Sequence, residues 1–286
     1  MLDLVRLRVL AAVARTGSIT AAAKELHYSQ PSVSHHIARL EAETGAKLLQ
    51  RIGRGVRLTH TGELLAERAM EIIGRVDSAT AELSAHVGLN AGKVRLAGFS
   101  SAMSTLVPAA AAALAATHPG LELNLTDTHP PEALRLLRAG KVDVAVIFRF
   151  DESAPEEGGI RLLHLLDDPT YLLTPESSGT LAEYRDSRWI AGCERCRSHL
   201  LDLCARDGFT PNITFSTDDM VTMQALVAAG LGVTTIPGLA LRAHRVAGIQ
   251  ATEIPASTRH VYAATYGEPP DPPATTALLA ALRRAA

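Results

Sequence analysis

The sequence predicts a chain of two parts: an N-terminal winged helix-turn-helix, mostly α-helical, and a C-terminal α/β body of two lobes, joined by one long linker helix. Three observations predict it. Residues 1 to 60 carry nine Lys/Arg against four Asp/Glu, while the rest carries 19 against 26, a basic head on an acidic body. Apolar residues from 62 to 87 follow a heptad spacing without a proline, and from residue 91 onward strand and helix signals alternate.

Size and composition bound the reading. The 286 residues, 47% apolar and 20% charged, suffice for two folded domains and argue against disorder. The longest apolar run, "LVPAAAAALAA" (106 to 116), is too short for a membrane span. Asp3, Arg6, Arg8 and Arg15 break up any signal-peptide core, and three cysteines, an odd number, make no disulfide framework. The expectation is a cytoplasmic protein with no membrane contact, whose basic head alone meets a polyanion.

The head reads helix by helix. Leu7, Leu10, Ala11 and Ala14 form a helical stripe that Gly17 ends. Ser18 caps a second helix, "ITAAAKEL", and after "HYS" Ser29 caps a third with Pro31 near its start. On that third helix Val33, Ile37 and Leu40 form the buried stripe. Pro31, Ser32, Ser34, His35, Ala38 and Arg39 then spread over the outer half, a face of small hydroxyls, an imidazole and a guanidinium. That is the pattern of a recognition helix in a major groove. Beyond Gly45, "KLLQRIGRGVRL" predicts a hairpin wing carrying Arg51, Arg54 and Arg57 toward phosphates. A metal site among His27, His35 and His36 is disfavoured, because adjacent residues on a helix diverge by about 100°.

The stretches "GSITAAAKELHYSQPSVSHHIARLEAETGAKLLQR" and "LTHTG", followed by a long helix, resemble the DNA-binding domain of LysR-type transcriptional regulators. The resemblance implies that Ser34 and His35 face the operator and that Gln30, Pro31, Ser32 and Arg39 sit at or beside the contacted surface. It also implies that Arg51 approaches the backbone. Leu49, where the family prefers phenylalanine, and His60, where it prefers an acidic or small residue, depart from the pattern.

In the linker, Leu65, Ile72 and Ala79 form one heptad series and Ala69, Val76 and Leu83 another, a narrow seam that Gly74 weakens. Periodicity alone leaves open a surface helix packed on its own body. The resemblance implies pairing into a homodimer or homotetramer on pseudo-palindromic double-stranded DNA, with RNA polymerase as a further candidate partner.

In the body, "VRLAGF", a helix over 104 to 117, "LELNLTD", a helix over 131 to 139 and "VDVAVIF" make one α/β series. "YLLTP", "WIAG", a helix near 197 to 207, "NITFS", a helix over 218 to 229 and "VTTIP" make a second, and "RHVYAATY" and "TTALLAALRR" close the chain. The expected division is 1 to 60 for the winged domain, 61 to 90 for the linker helix and hinge, and 91 to 286 for the body. Lobe one then takes about 91 to 163 and 265 to 286, and lobe two about 164 to 264. "ALRLLRAGKVDVAVIF" and "ALVAAGLGVTTIP" resemble the same family's effector-binding domain, which implies a periplasmic-binding-protein-like fold with a cleft for a small-molecule effector.

Cleft candidates follow from strand ends. Ser100 and Ser101 at a helix start, Thr217 or Asp218 capping a helix in lobe two, and Phe148 and Arg149 after a strand suit a small, anionic effector. Plain capping and a solvated arginine are the competing readings. Cys193 and Cys196 form one CxxC, with Cys204 a helix length on. Inert packing thiols, a redox or effector contact and a metal site remain open, with Arg195 and Arg197 as cations that would favour a thiolate. The alternatives to an effector-responsive regulator are a thiol-based redox-sensing regulator, a CxxC redox enzyme and a solute-binding module. No nucleophile–base constellation, phosphate loop or dinucleotide fingerprint is present in the sequence, so no catalytic residue, cofactor or metal is assigned and the chain is not read as an enzyme.

Overall fold

The computed structural model describes residues 2–52, 55–86, 92–150, 158–175 and 177–286. The chain divides into two compact units, residues 1–92 with 135–142, and residues 93–134 with 143–286.

In the first unit, α1 (Leu4–Thr16) starts at Asp3, whose carboxylate accepts the Arg6 N–H, and stops at Gly17 in the left-handed region. α2 (Ile19–Glu25) is capped by Ser18, and α3 (Gln30–Thr44) by Ser29, with Pro31 in its first turn and Gly45 at its end. β1 (Leu49–Ile52) and β2 (Gly55–Leu58) pair antiparallel as the wing, and α4 runs from His60 to His86. Val9, Leu10, Val33, Leu40 and Leu48 are fully buried in one core with Ala66 and Ala69 of α4.

The wing is tied to α3 through Glu41, which accepts the Leu48 N–H at 2.9 Å and the Lys47 ammonium at 2.8 Å. Burial pushes the Glu41 carboxyl up, but Lys47 and the Leu48 and Leu49 amides outweigh it and hold the acid below its usual range. Gly62 is required where α4 crosses the wing: a Cβ there would lie 2.1 Å from the Leu48 carbonyl oxygen. Gly74, which weakens the helix on propensity alone, is buried for a similar reason, with Ala139 O 1.7 Å from where its Cβ would be.

The second unit is built on a mixed eight-stranded sheet of order β4-β3-β5-β10-β6-β9-β7-β8. Its elements are β3 (Lys93–Gly98), α5 (Ser100–Met103), α6 (Leu106–Thr117), β4 (Glu122–Asp127), α7 (Pro130–Arg138), β5 (Val144–Arg149) and β6 (Ile160–Thr174), followed by β7 (Arg188–Ala191), α8 (Glu194–Arg206), β8 (Asn212–Ser216), α9 (Met220–Ala228), β9 (Val233–Pro237), α10 (Gly238–Ala243), β10 (Gln250–Tyr266) and α11 (Pro273–Ala285). Parallel strands at each end carry helices on their faces, which accounts for unbroken apolar runs such as "VAVIF". One lobe's core gathers Leu96, Phe99, Leu106, Val144, Phe148 and Leu282, and the other's centres on Leu172, Leu173, Trp189, Ile190 and Ile236.

Three expectations are corrected here. "YLLTP" and "RHVYAATY" are only the ends of β6 and β10, which have 15 and 17 residues and pair with each other along their length. Asp167, Asp168 and Pro169 in one strand, and Pro255 in the other, hid the continuity. The helix predicted over 104 to 117 begins two residues later, as α6 at Leu106, with Thr105 (φ −130°, ψ −75°) separating it from the short α5 that precedes it. α9 is capped by Asp219, which accepts the Val221 N–H at 2.9 Å, and not by Thr217 or Asp218.

Candidate DNA-recognition surface and effector cleft

On α3, Val33, Ile37 and Leu40 are buried, while Gln30, Pro31, Ser34, His35 and Arg39 are exposed and Ser32 is half-buried. His36 is half-buried and stacks on Tyr28 with ring centroids 5.7 Å apart. The His35 and His36 rings are 6.3 Å apart and inclined at 65°, so they do not converge on an ion. The exposed side is a row of short donors and acceptors with one guanidinium, the composition that base edges and phosphates require.

In the wing, Gln50 and Arg57 are cross-strand neighbours and both exposed. Arg51 lies opposite Val56 in the same ladder, while its side chain, and all of Arg54, lie outside the described residues. Along α4, the heptad positions separate. Leu65 is half-buried and Ala69 fully buried against the unit's own core, whereas Ile72, Val76, Ala79 and Leu83 are exposed. The free seam is therefore the second half of the series.

In the second unit the lobes meet at a buried ion pair. Arg259, on β10, donates from Nε to Asp168 Oδ2 at 2.8 Å and from Nη2 to Ser101 Oγ at 2.7 Å. Asp168 Oδ1 accepts the Leu239 N–H at 2.8 Å, which completes its shell. The guanidinium carbon lies 4.5 Å from the Phe148 ring centre and 4.7 Å from that of Phe99. Ser101 and Phe148, both predicted at the cleft, are thus brought together, but as the buried bed of an arginine that the sequence reading passed over. Alternation along β10 was the available signal, since Arg259 shares a face with Val261 and Ala263.

Arg149 is not part of this group. Phe148 stands opposite Val261 in the ladder and Arg149 opposite His260, so Arg149 occupies the other face of the sheet. Ser100 is exposed, with Oγ 3.4 Å from Asp127 Oδ1. Thr217 is half-buried and accepts the Asp219 N–H at 3.2 Å. Its neighbour Asp218 pairs with His129 at 3.0 Å, one lobe's helix start against the other's.

Phe150, Thr170, Cys196, His199, Pro237 and Arg259 line a small pocket between the lobes. His199 stacks on Phe150 at 3.7 Å and shares a 2.8 Å hydrogen bond with Ser257 Oγ. Burial, with Arg206 adding to it and Asp202 opposing, pushes its imidazole down to about 4, so it is neutral. The Thr170 hydroxyl is buried with no hydrogen-bond partner among the described residues. No sequence signal marked it.

Cys193 precedes α8, with its sulfur 3.3 Å from that of Cys196. The hydrogen bond between the two sulfurs leads the forces that lower the Cys193 thiol to about 6, with His129 contributing and burial and Asp218 opposing. Cys196 is pushed the other way by the same contact and by burial. Arg195 and Arg197 are exposed and are not the cause, contrary to expectation. Cys204 is buried, which pushes its thiol up to about 11.

Among the described residues, no helix is long and apolar enough to cross a membrane. Residues 4–63 match the family of bacterial regulatory helix-turn-helix proteins of the lysR type, and residues 88–286 match the LysR substrate binding domain. The chain is 32% identical over 247 residues to the HTH-type transcriptional regulator TfdS of Cupriavidus pinatubonensis, covering 81% of each protein. It is 30% identical over 268 residues to the HTH-type transcriptional regulator CfxR of Cupriavidus necator, covering 84% of this chain and 78% of that one. The fold resembles full-length CbnR complexed with its target DNA, with a TM-score of 0.67, 24% identity and complete coverage of both chains. A recognition helix and wing on one unit, a two-lobed α/β cleft on the other and family matches spanning both make this chain a member of the LysR family of DNA-binding transcriptional regulators.

Proposed function

We propose that the protein binds a pseudo-palindromic site on double-stranded DNA as a dimer or a dimer of dimers, and that a small molecule held between the lobes of residues 91–286 sets its activity. The carrying observation is the face of α3, where Ser34, His35 and Arg39 stand exposed over the buried Val33, Ile37 and Leu40. In this reading Ser34 and His35 meet base edges, while Gln30, Pro31, Ser32 and Arg39 position the helix and Arg51 and Arg54 meet phosphates beside the groove. The DNA complex recorded for CbnR supports this mode of binding. Residues 1–60 form the DNA-binding domain and 61–90 the linker, where Ile72, Val76, Ala79 and Leu83 pair with a second copy. The protein works in the cytoplasm, contacts RNA polymerase at its promoters and catalyses no reaction.

The Thr170 hydroxyl, buried without a partner among the described residues, supports an effector site, since a ligand's polar group would recover the free energy that such burial costs. Arg259 is already matched by Asp168, and His199 is neutral. The pocket, about 10 Å³ as it stands, therefore holds no unmatched positive charge, and an effector entering it would have to part the lobes and would meet the Thr170 hydroxyl rather than Arg149. Ser100, Thr217 and Cys193 lie at the outer edge of this reading. The effector acts by binding one lobe arrangement more tightly than another, and residues 61–90 are the covalent route from the lobes to the DNA-binding domain.

The test is a gel-shift salt titration on the DNA flanking the protein's own gene, followed by selection from random sequences. Ser34→Ala relaxes sequence preference, and Arg51→Ala reduces the salt slope by about one. Wild-type protein that selects no sequence above non-specific binding would sink the reading.

A further inference from the structure

On the opposite face of the sheet from Arg259, a bulge in the β6–β10 ladder between Val261 and Tyr262 brings together three side chains that sequence spacing keeps apart. His260 stands opposite Asp167, and Tyr262 opposite His164, so residues three apart on β6 share one face. His164 Nε2 and His260 Nδ1 each lie 2.8 Å from Asp167 Oδ1, and all three ligand atoms fall within 4.8 Å of one another. His164 and Asp167 are about half exposed, and His260 is one-fifth exposed. Tyr262 packs edge-on against His164 with ring centroids 5.5 Å apart and orients it. Arg149, across the ladder from His260, is itself partnered.

We propose that His164, Asp167 and His260 form a binding site for a borderline divalent transition ion such as Zn2+, with water in the open fourth position. Two imidazoles and one carboxylate are a donor set for Zn2+, Ni2+ or Cu2+, whereas Mg2+ and Ca2+ need more oxygen. Ligands about 2.0–2.1 Å from a tetrahedral ion lie roughly 3.3 Å from one another. The two 2.8 Å contacts open only slightly to admit it. β6 and β10 are the two strands that pass between the lobes, and the site bridges them next to the Asp168–Arg259 pair, one residue along each strand. A bound ion would clamp that crossing.

The full-length protein, stripped by chelator dialysis, is titrated with ZnCl2 in competition with a chromophoric chelator. One Zn2+ per chain is expected at micromolar affinity. His164→Ala and His260→Ala are each expected to weaken binding at least roughly tenfold, and Asp167→Asn is a variant of nearly identical shape. Because CxxC thiols also take zinc, the Cys193→Ser/Cys196→Ser variant is titrated in parallel and should bind as wild type. Its Co2+ adduct should lack thiolate charge-transfer absorption. Binding that survives in the His164→Ala/His260→Ala variant, binding lost in the cysteine variant, or no stoichiometric binding at all overturns the proposal. Circular dichroism of the metal-free variants checks that each is folded.

Discussion

Arg259 and Asp168 form an ion pair at 2.7 Å in which the side chains are 1% and 2% exposed. The two residues sit on neighbouring strands at the join of the lobes, and Ser101 and the Leu239 N–H satisfy what the pair itself does not. Such a pair is weak evidence for stability but strongly resists being broken, because removing one partner leaves the other charge buried and unmatched.

Arg259→Met should therefore destabilise the second unit by about 3–5 kcal/mol, read as a lowered midpoint in urea unfolding. In an Asp168→Asn background the same change should cost clearly less, since the orphaned charge is gone while an acceptor for Leu239 remains. Equal losses in both backgrounds would refute the coupling.

Thr170→Val replaces the unpartnered hydroxyl with a methyl of the same shape. The unliganded protein should keep its stability or gain up to about 1 kcal/mol, while any effector response measured on the DNA complex should weaken. A loss of stability would mean that the hydroxyl already has a partner.

The His199 imidazole is held down to about 4 by burial and Arg206, whereas in the unfolded chain it titrates near 6.5. Between those values the unfolded chain binds the extra proton, so stability falls as pH drops from about 6.5 to about 4. Partial exposure limits the effect to on the order of 1–2 kcal/mol. His199→Gln should flatten the urea midpoint across that window, after the carboxylate contribution common to both proteins is subtracted.

Alkylation of Cys193 by iodoacetamide, followed by mass spectrometry, should rise with a midpoint near pH 6, because the hydrogen bond it shares with Cys196 lowers the thiol to about 6. Cys196→Ala should move that midpoint upward. Cys204, buried and pushed up to about 11, should stay unlabelled in native protein.

Gly62→Ala should loosen the wing. The added Cβ would sit 2.1 Å from a backbone oxygen that cannot swing aside, so a loss of about 2–3 kcal/mol is expected in the first unit. A native midpoint for this variant would show that α4 shifts without cost.

The first unit was legible almost to the residue. Ser18, Ser29, Pro31, Gly17 and Gly45 are local devices whose effect is spent within one turn, and the stripe Val33, Ile37, Leu40 needs only helical periodicity. The alternation of strands and helices, and hence an α/β body, was legible for the same reason. What only the tertiary structure decided is what long-range pairing brings together. β6 and β10 were read as short strands because acidic residues and prolines interrupt their apolar pattern, although each is held by neighbours far away in sequence. Arg259 carries no signal of its own in the sequence, and only burial and Asp168, 91 residues distant, make it half of a buried ion pair. His164, Asp167 and His260 converge only through a bulge that no spacing encodes. Local capping and periodicity are written in adjacent residues, but a ladder register sets which distant side chains share a face, and that is decided by packing.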